Sequence, residues 1–169
     1  MGRDSRQLGN NEQSDKCYTP KDAMTNLFPF LDPSLTYYEA TSGESTTIIE
    51  ALTEGGFSIV GSGDKDFFDC GEGDIQDGVV TNPPYSKKDK FIEHCYDLGK
   101  PFALLLPVAA FQGQKRGALF KRYGINALVY NRRVDFTGKG SPTFGCCFLM
   151  GNGFTDNYKG KEAGKLWFV

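Results

Sequence analysis

Histidine is nearly missing from this chain. His94 is the single one among 169 residues. A histidine-built metal centre or a Ser-His-Asp triad therefore has nothing to stand on, and no metal is expected. The five cysteines, Cys17, Cys70, Cys95, Cys146 and Cys147, are odd in number and contain no Cys-x-x-Cys spacing. Cys146 and Cys147 sit side by side in an apolar run and read as small core residues. That usage fits a reducing compartment, and the expectation is a cytoplasmic protein. No apolar run approaches the ~20 residues of a membrane-spanning helix. Met1 to Lys16 lacks the apolar stretch of a signal peptide and reads as a polar, disordered arm, residues 1–16. Residues 17–169 are expected to form a single domain. There is no internal repeat.

What the chain does have is apolar content of 39% with 14 Phe and 8 Tyr, enough for a sizeable core. Apolar runs alternate with helical periodicity. Strands are expected at Leu35–Glu39, Phe57–Val60, Asp77–Asn82, Phe102–Pro107, Ala127–Tyr130 and Phe144–Met150. Helices are expected at Ser45–Thr53, Lys88–Leu98 and Gln112–Tyr123. Phe102–Pro107 is apolar throughout, as in a central parallel strand. The alternation predicts an α/β fold, a Rossmann-like doubly wound, mostly parallel sheet with an antiparallel C-terminal strand. Phe136 to Phe144, with two glycines and a proline, reads as a flexible loop over the substrate side.

One tetrapeptide carries most of the functional information: Asn82-Pro83-Pro84-Tyr85. It ends an apolar run, Gly78 to Thr81, and proline cannot continue a strand's hydrogen-bond ladder. The tetrapeptide therefore lies at the C-terminal edge of a strand, where open α/β sheets bind ligands. Asn82 offers a side-chain carbonyl. The backbone carbonyl of Pro83 is a second acceptor, held extended by the proline that follows. Two adjacent acceptors match the two donors of a planar –NH2 group, and Tyr85 can stack on the flat system that carries it. The pair suits an exocyclic nucleobase amine or a carboxamide.

The tetrapeptide resembles the amine-binding motif of class I S-adenosylmethionine-dependent amino-methyltransferases, a group that includes N6-adenine and glutamine-N5 enzymes. The stretch from Thr81 through Lys90-Phe91-Ile92 to Gly99–Pro107 is similar to small phage-type adenine methyltransferases in particular. The resemblance implies S-adenosyl-L-methionine as cofactor and Asn82, Pro83, Pro84 and Tyr85 as catalytic residues. It also implies a cofactor turn at Glu39–Ser45, with Glu39 as the acid and Gly43 as the first glycine. Ser45 stands where the family's second glycine falls. Asp64 is the candidate for the ribose hydroxyls, one place late, or that acid is missing. Asp66-Phe67-Phe68 matches the family's adenine-binding pattern, a carboxylate for an exocyclic amine and a ring to stack, with Asp66 and Phe67 as the candidates, and reads otherwise as an acidic turn with two core phenylalanines. Tyr18-Thr19-Pro20 resembles the element that packs over the methionine end of the cofactor, and reads equally as a helix start with proline at its first position.

Charge is uneven. Asp32 to Val80 holds eleven acids and one base, and Pro84 to Gly140 holds eleven bases and four acids. The basic half begins at the tetrapeptide and suits phosphates. Lys87, Lys88, Lys115, Arg116, Arg132 and Arg133 are the candidate nucleic-acid contacts. These features favour N6-adenine methylation of nucleic acid, DNA over RNA. Glutamine-N5 methylation of a protein and a cofactor-binding decoy without turnover are the alternatives. Little chain remains after Pro107 for a separate reading domain, so low sequence specificity or dependence on a protein partner is expected, with no membrane partner.

Overall fold

The computed structural model describes residues 19–43, 45–136, 144–156 and 165–168. The expected arm 1–16, the candidate Tyr18 and most of the expected loop 136–144 lie outside these residues.

Four short strands and their crossovers build one half of the sheet. Strand β1 is Thr36–Glu39 and β2 is Ser58–Gly61, joined by helix α2, Thr47–Glu54. Strand β3 is Gly78–Thr81 and β4 is Phe102–Pro107, joined by helix α3, Lys88–Asp97. Helix α1, Lys21–Thr25, precedes them, helix α4, Gln114–Tyr123, follows β4, and strands β5 (Asn126–Val129), β6 (Cys146–Gly151) and β7 (Leu166–Phe168) complete the sheet. The order is β2-β1-β3-β4-β6-β5-β7. The pairs β1–β2, β1–β3, β3–β4 and β5–β7 are parallel. Only β6 runs against its neighbours, β4 and β5. This is the mixed α/β sheet expected, with its antiparallel strand near the C-terminal end.

The sequence explains these elements locally. In α3, Phe91, Ile92 and Cys95 share one buried face, and Gly99 ends the helix at φ +67°, a left-handed position that glycine takes without strain. Along the strands successive residues face opposite sides. Val80 and Leu105 join Leu52 and Met24 on the α1–α2 face. Val79 and Leu104 join Phe91 and Ile92 on the α3 face. Each fully buried side chain of this size contributes roughly 1.5–3 kcal/mol. Cys147 is buried in β6, and loss of solvation pushes its thiol up to about 12.

Helix α1 begins where Tyr18-Thr19-Pro20 reads equally as a helix start, with Pro20 as the N-cap residue and not the first helical one; its extent, and strand β7, were not expected. Five residues are too few for a helical period to show, and three too few for alternation. The link from β2 to β3 contains no α-helix, only 3-10 turns at Phe67–Asp69 and Glu72–Asp74. Strand β2 is consequently an edge strand, and Val60 is 51% exposed.

The topology fixes where a ligand belongs. From β1 the chain moves outward to β2, then crosses to the other side of β1 to form β3. The C-terminal ends of β1 and β3 therefore flank the sheet's topological switch point, the position at which such sheets open a crevice.

Candidate active site

Glu39 ends β1 and Thr81 ends β3, and both are buried. Oε1 of Glu39 accepts from the Thr81 hydroxyl at 2.5 Å, the Thr41 hydroxyl at 2.9 Å and the Thr41 amide at 3.1 Å. The two threonine oxygens are 3.1 Å apart. A carboxylate at 1% exposure is tolerable only with such donors around it. This cluster ties the loop after β1 to the strand that carries the tetrapeptide.

The second tie joins the loops after β1 and β2. Ser42 and Ser62 hydroxyls lie 3.1 Å apart, and the Gly63 amide donates to Ser42 Oγ at 3.1 Å. A Cβ on Gly43 would meet the Gly63 carbonyl oxygen at 2.8 Å, closer than a real Cβ tolerates. Only glycine permits that approach. Ser45, at the place of the family's second glycine, turns its hydroxyl to the start of α2, where Oγ accepts from the Thr47 amide at 3.3 Å. It serves there as a turn residue at the helix entry.

A cleft of about 290 Å³ opens between these loops. Its walls include Thr41, Gly43, Gly63, Asp64, Asp66 and Phe68. Asp66 is exposed and caps the following turn, with Oδ1 accepting from the Phe68 amide at 3.0 Å. Phe67 also lines the cleft but is 2% exposed and stacks on Phe91 with centroids 5.0 Å apart. Half-buried Phe68 is the more accessible of the two rings. Pro84 and Lys87 close the far side. Lys87, expected at a nucleic-acid phosphate, thus borders the cleft.

The tetrapeptide leaves β3 at the edge expected. Pro83 is buried, while Asn82, Pro84 and Tyr85 are half-buried. Pro84 is extended, at φ −56° and ψ 126°, and its carbonyl accepts from the Lys87 amide at 2.9 Å to start a 3-10 turn. Asn82 Nδ2 donates to Thr19 Oγ1 at 2.9 Å. That bond fixes the amide so that its carbonyl faces away from Thr19. The Tyr85 ring meets Phe144 edge-on at 5.6 Å, and Phe144 stacks with Phe136 at 6.2 Å. An aromatic row therefore runs from the tetrapeptide to the segments on either side of residues 137–143.

The candidate cations divide. Lys88 folds back, its Nζ donating to the Tyr85 carbonyl at 3.1 Å. Arg116 is committed within the protein: it bonds the carbonyls of Ala110 and Gln112 and pairs with Asp89, and its side chain is 12% exposed. Lys115, Arg132 and Arg133 are solvent-exposed residues, the first on α4 and the others past β5. Thr19 and Pro20 precede α1, with Pro20 as its N-cap residue. The described residues contain no group of His, Cys, Asp and Glu fit for a metal ion, and no helix long and apolar enough to cross a membrane.

Sequence reasoning missed Thr41, Thr81, Ser42, Ser62 and the Phe136–Phe144 stack. Thr81 alone carried a signal, a polar residue closing an otherwise apolar strand just before the tetrapeptide.

The sequence matches no protein-family model and no curated protein. Solved structures do resemble it. A Listeria monocytogenes protein assigned to the class I S-adenosylmethionine-dependent methyltransferases aligns at TM-score 0.54 and 10% identity, over 95% of this chain and 67% of that one. The modification subunit assigned to a type I restriction enzyme of Vibrio vulnificus YJ016 aligns at TM-score 0.49 and 11% identity, over 97% of this chain. This chain spans 47% of that subunit's length. The likeness is one of fold. The sheet described above is the Rossmann-like methyltransferase fold, and the crevice at its switch point holds both the cleft and the tetrapeptide.

Proposed function

We propose that this chain transfers a methyl group from S-adenosyl-L-methionine to the exocyclic N6 amine of adenine in nucleic acid, with DNA favoured over RNA. The observation that carries the reading is the place of Asn82-Pro83-Pro84-Tyr85. It sits at the C-terminal end of β3, at the switch point, against a cleft walled by Gly43, Gly63 and Asp66.

The cleft's residues fit the cofactor. Asp66 presents a carboxylate to an exocyclic amine, Phe68 a ring edge or face to a purine, and the Gly43–Gly63 wall lets ligand atoms come close to main chain. Asp64 stands in reach of the same cleft for ribose hydroxyls. S-adenosyl-L-methionine bound there supplies an electrophilic methyl group to the neighbouring amine pocket. The remaining work belongs to the chain. Asn82 Oδ1 and the Pro83 carbonyl accept both N–H bonds of the target amine, which holds the nitrogen in place and leaves its lone pair available. Tyr85 stacks on the flipped base, and flipping is required because the N6 atom is inaccessible inside a duplex. Holding both reactants in one geometry supplies much of the rate. The alkylated nitrogen becomes acidic, so solvent suffices to remove its proton.

Labelled S-adenosyl-L-methionine, incubated with DNA, RNA and glutamine-bearing protein acceptors and followed by nucleoside analysis, tests this. Label in N6-methyladenine that disappears in Asn82→Ala supports the reading. Label only in protein transfers the same pocket to a carboxamide, and no label with any acceptor overturns it.

A further inference from the structure

A second and larger hollow lies on the same edge of the sheet. It is an open depression of about 540 Å³ between α1 and the chain leaving β5, within the size range of small-molecule and cofactor sites. Tyr130 forms its floor, with its hydroxyl donating to the Ala23 carbonyl and so fastening α1 to the end of β5.

Both walls lead to the tetrapeptide. Pro20, in the α1 wall, follows Thr19, which holds Asn82. The other wall runs from Arg132 to Asp135, one residue short of Phe136, whose ring stacks on Phe144 and through it reaches Tyr85. Each wall is thus one residue away from a side chain that touches Asn82 or reaches Tyr85.

The lining is mixed in a particular way. Arg132 is exposed and makes no ion pair among the described residues. The side-chain amides of Asn26 and Asn131 likewise have no hydrogen-bond partner among those residues. Asp22 and Asp135 balance the charges of Arg132 and Arg133, so the hollow offers little to a bare anion. A nucleotide uses all of these groups. Its phosphate pairs with guanidinium, the commonest side-chain partner of phosphate. Its base edge carries both donors and acceptors, which amides and carboxylates read directly.

We propose that this hollow is a subsite for a nucleotide flanking the target adenine, with Arg132 on the phosphate and Asn26 and Asn131 on the base edge. The inference rests on the nucleic-acid reading above. It adds a preference at one flanking position to the expectation of low sequence specificity or dependence on a protein partner.

The test uses the full chain and short, fluorescein-labelled, single-stranded oligodeoxynucleotides that hold one adenine and differ only beside it. Anisotropy across a salt series is measured for wild type, Arg132→Ala, Asn131→Ala and Lys121→Ala, the last removing an exposed charge from α4 as a control. Arg132→Ala is expected to weaken binding and lower the salt slope by about 0.7, one single-strand phosphate contact. Asn131→Ala is expected to level a preference among flanking bases that is about tenfold in the wild type. Lys121→Ala is expected to do neither. If wild type binds and methylates the oligonucleotides but the Arg132 and Asn131 variants match it in slope and preference, the subsite is overturned and the function stands. If wild type binds with the expected variant losses but methylates no nucleic acid, the subsite is supported and the function falls. No binding by wild type overturns both.

Discussion

The hydroxyl of Thr81 donates to the buried carboxylate of Glu39 across 42 positions of sequence, at 2.5 Å. One bond thereby joins the strand ending in the cofactor-side loop to the strand ending in the amine-binding tetrapeptide. Replacing Thr81 with Val keeps the shape and removes the donor. Thr41 remains, so the carboxylate is not stranded, but a hydrogen bond to a charged group is lost, at roughly 1.5–3 kcal/mol. Thermal unfolding of Thr81→Val is expected to fall accordingly, while Thr81→Ser, which retains the hydroxyl, recovers most of the loss.

Asn82 and Thr19 form a graded pair. Asn82→Ala removes an acceptor for the target amine, and methyl transfer is expected to drop on the order of 10²-fold, the scale of a misplaced reactant. Thr19→Val leaves the acceptor but releases its orientation, and a smaller loss in kcat is expected. Calorimetry should find cofactor affinity in Asn82→Ala within a few-fold of wild type. A collapse of cofactor binding there would show that Asn82 serves the cleft and not the amine.

Gly43→Ala tests the cleft wall. The added Cβ meets main chain, the Gly63 carbonyl, which cannot swing aside as a side chain does. The two loops must separate, and cofactor affinity by calorimetry is expected to fall without loss of helical signal. Ser45→Gly, at the family's second glycine, is expected to leave affinity near wild type, because the Ser45 hydroxyl is turned to the Thr47 amide.

Arg116→Ala separates stability from nucleic-acid binding. The residue holds two carbonyls of the segment after β4 and pairs with Asp89. Its removal is expected to lower the unfolding temperature and leave the salt slope of oligonucleotide binding unchanged. Arg132→Ala is expected to show the reverse pattern.

Acid should unfold the protein in a defined window. The Lys65 ammonium, then the Gly71 amide, holds the Asp74 carboxyl below its usual 3.8. The Ser34 hydroxyl and amide do the same for Asp32. The Thr46 hydroxyl, then Lys21, holds Glu50 below 4.5. Carboxyls depressed in the folded state contribute stability above their unfolded values and lose it as pH falls through the folded ones. Unfolding temperature is expected to be level from neutrality to about pH 5 and to decline below it. These groups are exposed, so added salt is expected to flatten the decline.

Much of this fold was legible because periodicity survives in single strands and helices. Phe102–Pro107 is read to the residue from its unbroken apolar run, and α3 from Phe91, Ile92 and Cys95. Asn82-Pro83-Pro84-Tyr85 falls at a strand end because proline must stop a ladder. The cations were harder. Lysine and arginine announce a charge, not the direction in which a long side chain turns: Lys87, expected at phosphate, also borders the cleft, and Arg116 bonds Ala110, Gln112 and Asp89. Thr81 matters through Glu39, 42 positions away, and the sequence shows only a polar residue closing an apolar strand, not the partner it meets.

The close approach of Gly43 to the Gly63 carbonyl has a consequence for tolerance to substitution. A wall made of main chain asks for almost nothing from side chains except their absence at two points. Mutations can accumulate around such a cleft while its outline persists. The outline of the cleft is therefore set by the path of the backbone at the ends of β1 and β2 more than by the side chains that line it.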